Sequence, residues 1–231
     1  MTARYAVYFA PEKHSPWWEF GSRWLGRSEF DNKDLPQPLL EQISPTELAQ
    51  ITAEPRRYGF HATLKAPFRL AAGCNEADFM ERLGLLAATL QPVTLSPLRV
   101  AMLGNFIALI PDAAPAGLQA LAAACVSALD DLRAPLLASE LARRGVRNLD
   151  AREAELLSRY GYPYVMERFR LHLTLTGSID NAAAQRVIHM VLADITRLNA
   201  SAPLLLDRLC LFVEKPHGTA FRRIADVALR A

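Results

Sequence analysis

The chain has 231 residues, 51 % of them apolar and 22 % charged, enough to bury a sizeable core as one large domain or two closely packed lobes. Its formal charge of +2 is too small to argue for a nucleic-acid coat or a membrane surface as partner. Cys74, Cys125 and Cys210 are scattered, with no C-x-x-C pair and no zinc spacing, and read as small core residues in a reduced, cytoplasmic compartment.

In chain order, residues 4–11 are rich in aromatic and β-branched residues and stop at Pro11, a strand pattern. Residues 15–27 open with Ser15 as cap and Pro16 in the first turn, and predict a helix. Prolines and charges make 28–45 a loop. Residues 44–55 give a short helix capped by Ser44, with Glu47 three residues on. "GFHATLKAPF" follows as a strand. Residues 75–91 are amphipathic behind an Asn75 cap, and 96–111 form two strands around Gly104-Asn105, a hairpin signal. A helical insert covers 114–132 and 137–161, broken near Gly145. Residues 165–177 predict a strand, 181–199 a helix with Asn181 as cap, and 203–216 with 219–229 a closing hairpin. The N-terminus carries no basic region ahead of a signal-type apolar run, and the apolar stretches are too short or interrupted to span a bilayer. A cytoplasmic protein with no membrane partner is the expectation.

Two segments echo each other. "HATL" at 61–64 and "HLTL" at 172–175 place histidine and threonine two apart. After each histidine the predicted order is strand, helix, strand, strand, a weak internal duplication of β-α-β-β units. Such units indicate an α+β architecture, and two of them would meet about a pseudo-twofold.

Side chains two apart on a strand share a face. His61, Thr63 and Lys65 therefore share one face, and His172 and Thr174 another. If the two faces meet, one ligand sees two imidazoles and two hydroxyls. That is an acid–base set for a phosphodiester: a neutral imidazole takes a proton from the attacking hydroxyl or water, and an imidazolium protonates the departing oxygen. Thr63, Thr174 and Lys65 would hold the non-bridging oxygens. The expected division has His172 as base and His61 as acid, subject to how substrate lies. No His and Asp cluster has metal-ligand spacing, so neither metal nor cofactor is expected.

The paired tetrapeptides resemble the two signatures of the 2H phosphoesterase superfamily: histidine, any residue, serine or threonine, apolar residue, twice. The longer strings 56–67 and 160–177 are similar to the branch associated with phosphonate-metabolism operons (DUF1045-like). The resemblance implies a bilobal α+β fold, with two pseudo-symmetric β-α-β-β lobes and antiparallel sheets around a central cleft. On that reading 1–231 is a single bilobal domain, with motif units at about 56–111 and 165–229 and a helical insert at about 114–161. The superfamily acts on 2′,3′-cyclic or 2′-5′ phosphodiesters. The phosphonate branch shifts the expected substrate to a small cyclic ribose phosphate, such as a 5-phosphoribosyl 1,2-cyclic phosphate.

Other residues divide between site and scaffold. Tyr58, Tyr164 and Lys215 are candidates for the cleft lining, with Tyr162, Tyr5 and Tyr8 left open. Trp17 and Trp18 read as a helix anchored in the core. His14 and His189 have no matching partner and read as structural, and His217 reads as a turn residue. Arg143, Arg144 and Arg147 form a basic patch, read as a solvated face or a lid. The alternatives are a module that binds a phosphorylated ligand or RNA end without turnover, and a 2′-5′ RNA ligase or phosphodiesterase. RNA is the weaker partner because the charge is close to neutral. Oligomeric state is left open.

Overall fold

A computed structural model describes residues 3–95, 97–143 and 149–230, apart from the side chains of Ser139, Ala142 and Arg143. The helix starts follow local chemistry. Helix α1 (Pro16–Leu25) is capped by Ser15, whose Oγ accepts from the Trp18 N–H, and it ends at Gly26 in the left-handed conformation. Helix α2 (Pro45–Arg56) uses Ser44 in the same way. Helix α3 (Glu76–Ala87) has a reciprocal box between Asn75 and Asp78. Strand β1 (Arg4–Phe9) precedes α1, and β2 (Ala62–Phe68) follows α2. Then come β3 (Val93–Thr94), the hairpin β4 (Leu98–Leu103) and β5 (Phe106–Pro111), and the insert helices α4 (Leu118–Ser127), α5 (Ala138–Arg143) and α6 (Ala151–Tyr160). The chain closes with β6 (Leu173–Thr174), α7 (Asn181–Ser201), β7 (Leu205–Leu206), β8 (Arg208–Glu214) and β9 (Arg222–Ala228).

The architecture is α+β with antiparallel sheets. One sheet runs β2-β1-β8-β9, a second β4-β5-β6, and β3 pairs with β7. The two sequence units exchange their hairpins. The first motif strand, β2, shares its sheet with β8 and β9, and α3 packs on those strands. The second, β6, pairs with β5, and α7 packs on β4 and β5. Each unit thus supplies strand and helix to one sheet and a hairpin to the other. A repeat in sequence order is not a repeat of separate sheets.

Two expectations change in detail. The α7 cap is Asp180, whose carboxylate accepts from the Ala183 N–H; Asn181 is the first helical residue. Both residues are good caps, so composition alone leaves a one-residue ambiguity. The strand expected over 165–177 is short. Residues 166–168 form a 3₁₀ turn with Met166 at φ +51°, and ladder pairing is confined to Leu173 and Thr174. Leu171 still reaches the core, which preserves the apolar pattern without a ladder. Among the described residues no helix is long and apolar enough to cross a membrane.

The main core spans both sheets, and three indoles tie α1 to it. Trp17 and Trp18 are buried as expected; they donate to the Ala202 carbonyl at 2.6 Å and to Glu29 at 2.8 Å. Trp24 donates to the Leu175 carbonyl at 2.9 Å, joining α1 to the second motif. Gly21 lets α1 come down on Phe60, the residue before His61: a Cβ there would lie 2.0 Å from the fully buried ring. Alanine in a helix interior normally gains about 1 kcal/mol over glycine, whereas overpacking costs about 1–3 kcal/mol or more. The clash is the larger effect, since Phe60 has no solvent to move into. Gly21→Ala is expected to lower stability by about 2 kcal/mol in urea titration; an unchanged or raised midpoint would refute this packing account.

Candidate active site

The chain reaches His61 through a forced turn. Gly59 has φ +82°, and a Cβ on it would come within 2.9 Å of the Glu29 side chain, so glycine serves both the conformation and the space. Buried Arg27 braces this turn from below by donating to the Arg56 and Arg57 carbonyls. The Gly59 carbonyl then lies 2.8 Å from His61 Nδ1. A carbonyl cannot donate, so the proton is on Nδ1 and Nε2 carries the lone pair in the neutral ring. Nε2 lies 3.3 Å from Thr63 Oγ1. His172 is held by the same device: its Nδ1 lies 2.9 Å from the carbonyl of Arg170, again two residues upstream. The two histidines therefore present the same nitrogen outward.

The structure brings His61, Thr63, His172 and Thr174 to the wall of one cavity of about 570 Å³. Thr63 is opposite Tyr8 across β2 and β1, and Thr174 opposite Ala108 across β6 and β5. The cavity therefore joins the motif strands of the two sheets. Its volume lies in the range of small-molecule sites.

The surroundings of the two rings differ. Tyr8 stacks on His61 at 3.9 Å between centroids, and Tyr58 and Phe212 stand at 6.1 and 6.2 Å. Burial in this aromatic layer lowers the His61 pKa to about 4, aided by charge on His172 and Arg27 and opposed by the Gly59 carbonyl. His61 is therefore neutral near pH 7. His172 has Phe106 beside it at 5.8 Å. Burial also pushes the Tyr8 phenol well above its usual value, so Tyr8 stays protonated.

Not every expected residue arrives. Lys65 is turned away from the cavity. Val7 pairs with Lys65 and Tyr8 with Thr63, so one step on β1 matches two on β2. This bulge breaks the alternation: Leu64 and Lys65 are both buried, and Ala66 takes the place on the cavity wall. Lys65 Nζ instead donates to the Val126 carbonyl at 2.9 Å and to Asp130 at 3.0 Å, and Asp130 also accepts from Arg133. Lys65 thus pins the end of α4 to β2. Tyr58 lines the cavity, but Tyr164 is half exposed outside it and packs edge-on against Tyr162, which does line it. Lys215 lies outside as well, bonded to Glu76 at 2.6 Å and over the Tyr5 ring. Arg144, Arg147 and the Arg143 side chain lie outside the described residues. Among the described residues no three His, Cys, Asp or Glu side chains converge as a metal-ligand set would.

The structure also adds residues that the sequence reading missed. Arg4, Glu54, Asn105 and Ser178 line the cavity, and Tyr8, left open before, joins them. Arg4 and Tyr8 alternate on β1 with the core residues Tyr5, Val7 and Phe9, so the period-2 pattern carried the signal. Glu54, at the end of α2, carried none.

Residues 63–222 match the model of a family described as "Protein of unknown function (DUF1045)". The chain is 39 % identical over 221 residues to a ribose 1,5-bisphosphate phosphokinase PhnN of Janthinobacterium sp. (strain Marseille), covering 94 % of this chain and 49 % of that protein. It is 40 % identical over 221 residues to the protein of the same name in Laribacter hongkongensis (strain HLHK9), covering 95 % of this chain and 50 % of that one. The chain thus spans about half the length of the curated relatives it matches.

Proposed function

This chain belongs to the DUF1045 family of proteins of unknown function, and from that premise and the geometry above we propose that it hydrolyses a cyclic phosphodiester on a small ribose or nucleotide. The observation that carries this reading is the matched pair of outward Nε2 atoms, each set by a carbonyl two residues upstream, in one cavity with two threonines. The accompanying fold reading is a bilobal 2H-type arrangement, each sheet a lobe and the cavity the cleft between them.

Neutral His61 takes a proton from water through Nε2 as the water oxygen attacks phosphorus. The phosphorus–oxygen bond to the ribose breaks, and the departing oxygen takes a proton from His172 Nε2–H. Thr63 and Thr174 hydroxyls donate to the non-bridging oxygens, which gain charge in the transition state. This reverses the division of labour expected from sequence, because the ring packed against the Tyr8 layer is the one that resists a proton. Charge on His172 further disfavours charge on His61.

The relatives' name describes phosphoryl transfer, a different activity, and those proteins are about twice as long. The string nearest a nucleotide-phosphate loop, Gly21 to Ser28, runs through α1 and its C-cap, where a phosphate loop would lead from strand to helix. Its Arg27 is engaged by backbone carbonyls. We therefore take a phosphorylated ribose as the chemistry in common with the relatives, with a place in phosphonate catabolism, and assign ester hydrolysis to this chain.

The pH–rate profile tests the assignment. A base must be neutral, so the acidic limb of kcat/KM is expected only as pH falls toward about 4. If His61 had to be protonated to act, activity would already have declined by pH 6, and that result would reverse the roles. The linkage has a matching sign. A depressed folded pKa means that stability is full above the unfolded value of about 6.5 and is lost as pH falls toward about 4.

A further inference from the structure

Two charged side chains outside the histidine chemistry line the cavity among the described residues, Arg4 and Glu54. The Arg4 guanidinium lies 5.6 Å over the Phe221 ring, and Phe221 stacks on Tyr58 at 5.2 Å. Glu54 ends α2 beside the second motif segment, where a Cβ on Gly177 would meet its carboxylate at 3.4 Å.

Arg4 is built to present donors. Its Nε donates to Glu214 at 2.6 Å. Glu214 is wholly buried, and its other oxygen accepts from Arg57 and from the Gly218 N–H. Two guanidinium groups on one carboxylate leave one positive charge uncompensated. Among the described residues Arg4 Nη1 and Nη2 have no hydrogen-bond partner, and no buried side-chain nitrogen lacks one. The two amino groups are therefore open to the cavity. Buried Arg27 and Arg223, by contrast, have Nε and both amino groups bonded to protein oxygens.

We propose that Arg4 determines specificity by binding a second oxyanion of the substrate, a phosphate monoester or carboxylate, away from the diester held between the histidines. The inference rests on the phosphodiesterase reading and deepens it by naming a doubly anionic substrate class. A planar fork with two free amino groups matches an oxyanion bidentately. Glu54, the other charged side chain on the cavity lining, repels such a group, which leaves Arg4 as its place.

Binding of product-like ligands tests this without turnover. Calorimetric titration would compare adenosine 3′-monophosphate with adenosine 3′,5′-bisphosphate, and with the analogue carrying a 5′-carboxylate in place of the 5′-phosphate. The bisphosphate is expected to bind about tenfold tighter or better, and the carboxylate arm shows which oxyanion the fork prefers. In Arg4→Gln the ratio should fall to within about twofold, while Arg57→Gln, which also loses a Glu214 contact, should retain it. If Arg4→Gln does not fold, Arg4→Lys keeps a charge against Glu214 without the fork, and its ratio should drop at least about threefold. A ratio near one in the unmodified protein, or one untouched by either Arg4 variant, overturns the proposal. A sound ratio with no hydrolysis of any cyclic diester supports the Arg4 site and overturns the phosphodiesterase reading instead.

Discussion

His61→Ala and His172→Ala are each expected to lower kcat by about two to four orders of magnitude while the chain stays folded. The size follows from the role: each ring moves a proton in the bond-breaking step, and water replaces a placed acid or base poorly. Both rings reach the cavity edge, so neither removal should empty the main core, which is built from other side chains. The double variant should fall little further than the worse single one, because the two act as one relay. Circular dichroism and the urea midpoint at pH 8 would show that loss of rate is not loss of fold. Full activity in either single variant would remove the mechanism.

Glu214→Ala is expected to cost about 3 kcal/mol of stability. The carboxylate is fully buried and engages Arg4, Arg57 and the Gly218 N–H. Burial alone would raise its pKa, but these donors outweigh that and hold it below the usual carboxylate value, so it is ionised near neutrality. Removing one partner of a buried pair leaves a charge without compensation and costs about 3–5 kcal/mol. Arg57 is a third exposed and can rehydrate, which places the estimate at the low end. In a chain of this length the melting temperature should fall by roughly 6–12 °C. Asp112→Asn, which loses only a solvent-exposed contact with Arg99, should change it little. Equal effects at the two positions would contradict the buried-pair account.

What could be read in the sequence was whatever depends on short range. Ser15, Ser44 and Asn75 signal helix starts because a side-chain oxygen must meet backbone N–H groups within three residues. The hairpin at Gly104-Asn105 is equally local. His61 with Thr63, and His172 with Thr174, share a face because the strand period is two, and that face lines the cavity. The same rule fails two residues later. A bulge depends on how β1 and β2 are paired, so nothing within 61–65 announces that Lys65 leaves the face of Thr63. The exchange of hairpins is hidden for a related reason, since β2 and β6 would read alike whichever hairpin they joined. Arg4 sits beside a buried carboxylate 210 residues away, a partnership that no local pattern encodes.

The central claim, hydrolysis of a cyclic phosphodiester by the histidine pair, is tested most directly by phosphorus NMR in ¹⁸O-enriched water. Nucleoside 2′,3′-cyclic and ribose 1,2-cyclic phosphates would be incubated with the purified chain and a chelator. The account predicts that one of them becomes a monoester carrying a single ¹⁸O on phosphorus, and that conversion falls by at least about a hundredfold in His172→Ala. Unchanged cyclic diesters at stoichiometric protein, or equal conversion by His172→Ala, would contradict it.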